Sequence, residues 1–152
     1  MNAYSITLFL HSWLRWAVLV LALIVIVKSL MGVLNKSNYT KQDNIFSASL
    51  TGLMHLQLLI GLLLYFVLSP ITTQNLGNMS AMMKIAAIRY WAVEHITVMI
   101  AAVVLVQVGR SISKKATASL KKHRTMLLFT TIALVLILSR IPWDSVRLFR
   151  GL

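Results

Sequence analysis

Three observations predict an all-α protein, an integral membrane up-down-up-down four-helix bundle. First, 59% of the 152 residues are hydrophobic and only 12% are charged, with a mean hydropathy of +0.82, far from a soluble globular composition. Second, the polar residues collect in short breaks at 35–44, 72–80 and 111–124 and in a tail from Pro142. The apolar stretches between them approach the roughly 20 helical residues needed to cross a ~30 Å hydrocarbon layer. Third, no alternating barrel pattern is present, so backbone groups in lipid must be satisfied within helices.

One transmembrane domain over residues 1–152 accommodates four spans, approximately 5–34, 45–69, 85–110 and 121–141. The first is too long for a cleavable signal, with no basic residue before it and no small-residue cleavage site after it, so it is expected to persist in the mature chain. The second runs to Ser69 and Pro70. The third and fourth have shorter apolar cores and need flanking residues to complete the crossing. Spans one and three each read histidine, apolar run, basic residue; spans two and four each read histidine, apolar run, serine near a proline.

The first and third breaks fall on one side, with Lys28, Lys36, Lys41, Arg110, Lys114, Lys115, Lys121, Lys122 and Arg124 against one acid, Asp43. The positive-inside rule makes that side cytoplasmic and both termini periplasmic. The other side carries Lys84, Arg89, Arg140, Arg147 and Arg150, with Arg15 just inside the first span, offset by Glu94 and Asp144. The net charge of +12 does not argue for nucleic acid, because the cations sit in loops between apolar spans and not on a soluble patch. Lipid is the expected surrounding partner.

Each span carries one histidine: His11, His55, His95 and His123. Ionisable residues inside membranes are costly and usually functional. His11 lies seventeen residues before Lys28 and His95 fifteen before Arg110, which sets both at ~22 to 26 Å from one face at 1.5 Å per residue. His55 lies fifteen residues before Pro70 and His123 nineteen before Pro142, ~22 to 29 Å from the opposite face. Co-directional helices are diagonal in such a bundle, so each depth pair could straddle a metal.

With no cysteine, covalent haem attachment and iron-sulfur clusters are excluded. The expectation is therefore two haems b, each bis-histidine: His11 with His95, and His55 with His123. Taken singly, each histidine has an ordinary reading as an interfacial or packed residue.

Small residues beside the ligands would give a macrocycle room: Thr51 and Gly52, with Ala48, around His55, and Ala92 and Ala102 around His95. Close helix packing explains small residues equally well. Haem propionates call for cations near each boundary. The candidates are Arg15, Arg89 and Arg140 on the outer side and Arg124, Lys122 and Lys41 on the inner. For Arg15 an ion pair with Glu94 or snorkelling is the alternative. Trp13, Trp16, Trp91 and Trp143 fit an outer aromatic belt, and Trp91 with Tyr90 could line a quinone pocket.

At His-Ser-Trp-Leu-Arg-Trp (11–16), His-Leu-Gln-Leu-Leu-Ile-Gly-Leu-Leu-Leu-Tyr (55–65), Arg-Tyr-Trp-Ala-Val-Glu-His (89–95), Lys-Lys-His-Arg (121–124) and Ile-Pro-Trp (141–143), the chain resembles small bacterial four-helix membrane proteins of the cytochrome b kind. The resemblance covers nearly the whole length. It implies b-type haem, a bacterial inner membrane and electron transfer with respiratory or redox membrane subunits or with quinone. Small di-haem cytochromes b are a more distant likeness; they can place two ligands on one helix, and this chain does not.

The functional expectation is an electron-transfer cytochrome passing electrons between quinol or a partner subunit and an acceptor, with quinol oxidoreductase activity left open. The alternatives are a haem-free accessory subunit of a larger membrane complex and a small proton or metal-ion conduit. Against the conduit stands the lack of any membrane carboxylate besides Glu94.

Overall fold

A computed structural model of the chain describes residues 2–144, apart from the side chains of Met79 and Ala81. Arg147 and Arg150, counted above with the less basic side, lie outside the described residues. Every regular element among the described residues is helical. Four helical stretches, Ala3–Leu34, Lys41–Leu68, Ala86–Lys115 and Ser119–Ser139, are long and apolar enough to cross a membrane.

Helix α1 (Ala3–Leu34) is started by Asn2, whose side-chain oxygen accepts from the Ser5 N–H at 2.9 Å. It ends through Lys36, which takes the left-handed conformation (φ 50°), while the Ser37 N–H donates to the Gly32 carbonyl at 3.1 Å. That closure normally uses glycine at the left-handed position.

Helix α2 (Lys41–Leu63) begins four residues before its apolar stretch. Thr40 and Asp43 explain this, because they form a reciprocal capping box: the Thr40 N–H donates to Asp43 Oδ2 at 2.8 Å, and the Asp43 N–H donates to Thr40 Oγ1 at 3.4 Å. The span continues through a π turn (Leu64–Leu68) to Ser69, held extended by the following Pro70.

Pro70 opens the short α3 (Pro70–Thr73), followed by α4 (Met79–Lys84) and α5 (Ala86–Arg89). A second π turn (Tyr90–His95) leads into α6 (Ile96–Lys115), and α7 (Ser119–Ser139) completes the bundle.

Helix α1 packs on α2 and α7, and α6 packs on the same two, so α1 and α6 form one diagonal and α2 and α7 the other. Leu50, Ala102, Val106, Met126 and Ala133 meet at the centre with almost no exposure. Val20, Leu59, Val67 and Val135 point outward and are more than half exposed, the arrangement expected of a surface facing lipid.

Polar cross-links set the vertical register. Lys28 meets Asp43 at 3.2 Å, tying α1 to α2 near the basic end. Arg110 donates to Ser47 Oγ at 2.6 Å and the Tyr65 hydroxyl donates to the Ala92 carbonyl at 2.8 Å. These two bonds tie the span of α2 to that of α6 at both ends.

Candidate functional site

The two π turns lie opposite each other near the end of the bundle away from the basic loops, joined by the Tyr65–Ala92 hydrogen bond. A π turn widens a helix locally and is frequent at functional sites. Between these turns, α1 and the end of α7 lies a cavity of about 340 Å³, within the range of roughly 300–1,000 Å³ seen for small-molecule and cofactor pockets. Its wall is mostly apolar, including Leu8, Met54, Leu58, Met99, Val103 and Ile137. His11 and His95 enter it from opposite helices of one diagonal.

Their ring centroids are 6.4 Å apart, with planes inclined at 65°. Two imidazoles on opposite sides of one metal, at about 2.0–2.1 Å per nitrogen, have centroids roughly 6 to 6.5 Å apart. The spacing therefore suits a shared ion as well as an edge contact between the rings.

Each ring is positioned by a different device. His95 closes the second π turn, and its Nδ1 lies 3.0 Å from the Arg140 carbonyl. A carbonyl can only accept, so Nδ1 carries the proton and Nε2 keeps its lone pair. A second-shell carbonyl acting on the distal ring nitrogen is the usual way a metal-binding imidazole is oriented. The same carbonyl accepts from the Tyr90 hydroxyl at 2.9 Å, and Trp91 packs against the His95 ring at 5.4 Å.

His11 lies against Gly61 of α2, where an added Cβ would come within 3.1 Å of the ring Cε1. Gln57 donates to the His11 carbonyl at 2.9 Å. His11 Nδ1 and Gln57 Oε1 are both buried without a hydrogen-bond partner. Unsatisfied buried polar atoms are expensive.

Arg15 lines the same cavity one turn below His11, its guanidinium 5.5 Å from the centre of the Trp16 ring. Among the described residues no carboxylate lines the cavity. Arg89, expected to face the site, instead donates to Glu94 at 2.9 Å and to the Met83 carbonyl at 3.0 Å. The Arg140 guanidinium lies 3.6 Å from the other Glu94 oxygen. Glu94 is thus paired with Arg89 and Arg140. Lying directly before His95, it projects from another side of the helix, which turns it away from the histidine pair.

The second expected pair does not assemble. His123 is buried near the basic end, its ring 4.9 Å from that of Tyr39, with both ring nitrogens lacking a hydrogen-bond partner. Its imidazole lies so close to Gly32 that a methyl group there would collide with it. Tyr39 precedes α2, whereas His55 comes fourteen residues after Lys41. His123 is only four residues into α7, so the two histidines are separated by roughly 15 Å along the bundle.

Similar distances from Pro70 and Pro142 mean similar depth only where the two spans are equally long. The fourth span has 21 residues against 28 for the second, so Pro142 falls about 10 Å short of the level of Pro70.

The residues expected around that second site scatter accordingly. His55 is half-buried. The Thr51 hydroxyl donates to its own helix, to the Ser47 carbonyl at 2.8 Å. Gly52 is exposed, and an added Cβ there would meet nothing within 4 Å. Arg124 is exposed on α7.

Sequence reasoning overlooked Gln57, Gly61 and Gly32. A signal existed for the second: Gly61 lies eighteen residues after Asp43 and His11 seventeen before Lys28. Once Lys28 and Asp43 are paired, Gly61 falls at the level of His11. No family model, curated protein or solved structure matches this chain.

Proposed function

We propose that this protein is a membrane electron carrier holding one b-type haem between His11 and His95. The observation that carries the reading is the 6.4 Å approach of the two rings, with His95 held in the tautomer that leaves Nε2 free. Among the described residues no group of three or more histidine, cysteine or acidic side chains could hold a metal. A bare ion such as zinc, which needs about four ligands, would be under-coordinated here. A porphyrin brings four nitrogens of its own, so His11 and His95 would suffice to hold it.

Haem would supply reversible one-electron chemistry. The protein's part is to fix the two imidazoles, exclude water with an apolar wall and place a cation, Arg15, where propionate charge can be met. Donation to the Arg140 carbonyl raises the basicity of His95, which would favour the oxidised state of a haem held there.

The excess of Lys and Arg in the α1–α2 and α6–α7 loops supports an orientation with those loops in the cytoplasm and the histidine pair toward the outside. Quinol or a redox subunit on the outer side is the proposed donor, and a bacterial inner membrane the proposed location.

The test is a pyridine-haemochrome assay and redox difference spectrum on the purified protein. One haem per chain is expected, lost in His11→Ala and His95→Ala and retained in His55→Ala. Purified protein without Soret and alpha bands after haem-sufficient expression overturns the reading. A second reading has one supporting observation, the unpartnered Gln57 Oε1, which could accept from a quinol hydroxyl in the same cavity. Haem-free protein that co-purifies with extractable quinol would establish it.

A further inference from the structure

At the opposite end of the bundle, a second pocket of about 290 Å³ opens between the start of α2, the end of α6 and the start of α7. Four of its wall residues are cations, Lys41, Arg110, Lys114 and Lys122, and none is acidic. The nearest sequence acid, Asp43, is engaged elsewhere, by Lys28 at 3.2 Å and by its own Thr40 cap. Four cationic residues thus line one small concavity without an acidic residue among them, and like charges brought this close repel.

Two of the four are held in place. Arg110 donates to Ser47 Oγ at 2.6 Å and to Asn44 Oδ1 at 3.3 Å, and the Lys122 ammonium sits 5.7 Å from the centre of the Tyr39 ring. The Tyr39 hydroxyl is in turn within 3.2 Å of Ser47 Oγ. Gathering cations around one concavity costs electrostatic energy, and an anion bound there offsets that cost.

We infer that this pocket binds a phosphate-bearing anion. Phosphate matches the site because several donors can share its oxygens, and the basic pocket lies between helix ends at the face where membrane lipid headgroups gather. The chemistry is shared by an anionic lipid headgroup and by free phosphate.

The experiment uses the full chain in phosphatidylcholine nanodiscs, titrated separately with phosphatidylglycerol and with inorganic phosphate, against chloride at matched ionic strength. Thermal unfolding and native mass spectrometry are the readouts. A rise in melting temperature and a retained adduct with phosphatidylglycerol alone identify the lipid headgroup as the source. The same response to inorganic phosphate identifies free phosphate.

The Lys114→Gln/Lys122→Gln double variant should weaken the response roughly tenfold or more. Lys115→Gln/Lys121→Gln, which removes two charges from the same face outside the pocket, should leave it intact. Equal losses in the two double variants, or a chloride response equal to that of phosphate, overturn the inference. If Lys114→Gln/Lys122→Gln does not fold, the chloride comparison on the unaltered protein still decides it.

Discussion

His95 donates from Nδ1 to the carbonyl of Arg140 at 3.0 Å, a bond between the residue that leads into α6 and the residue that caps the end of α7. Arg140 ends α7 in a non-helical conformation (φ −129°, ψ 18°), so its carbonyl has no partner further along the helix and turns to α6. The unwinding of one helix end thereby sets the tautomer and direction of the imidazole that faces His11.

Tyr90 shares that carbonyl. Tyr90→Phe should cost about 1 kcal/mol in stability, the net worth of one hydrogen bond, while His95 remains oriented and the haem bands are unchanged. His95→Phe should abolish those bands. Absorption spectra and thermal unfolding of the two variants side by side check this; loss of bands in Tyr90→Phe would show that His95 alone does not hold the geometry.

Gly61 leaves His11 its place. Gly61→Val puts branched methyls where even one Cβ comes within 3.1 Å of the ring, and the helix backbone at this close approach cannot retreat easily. The expected result is haem occupancy reduced several-fold with helical content preserved, read by haemochrome assay and far-UV circular dichroism. Unchanged occupancy would remove His11 from the ligand set.

Gly32 does the same for His123 near the basic end. Gly32→Ala should destabilise the protein by roughly 1–3 kcal/mol through overpacking. His123→Ala in the same chain should return much of that loss, because the two changes share one contact. A double-mutant cycle of unfolding free energies measures the coupling, and additive effects would contradict the observed packing.

Lys36 occupies a left-handed position, φ 50°. Left-handed backbone costs a residue with a Cβ roughly 1–2 kcal/mol, offset in part by the extra freedom of glycine in the unfolded chain. Lys36→Gly should therefore raise stability by up to about 1 kcal/mol, visible as a higher melting temperature in detergent.

The four spans were legible because apolar length and polar breaks are properties of the chain itself. Boundaries were less so. Thr40 and Asp43 start α2 well before its apolar run, a decision made by local capping that a hydropathy count does not register.

The faces of the helices were harder still. Gly52 and Gly61 are alike as residue types, yet Gly52 is exposed and Gly61 lies against His11. Their angular positions relative to neighbouring helices separate them, and these depend on register.

The sequence by itself determined that this is an all-helical chain with four segments able to cross a membrane and one histidine on each, since hydrophobic length and composition are local quantities. Only the tertiary structure decided which histidines meet. His11 and His95 share a level because α1 and α6 are diagonal and tied to α2 by the Lys28–Asp43 and Tyr65–Ala92 contacts. His55 and His123 part because the second and fourth spans differ in length, so counts from their ends do not measure a common depth. Depth in a bundle is set by the cross-links between helices, and these are visible only once the chain has packed.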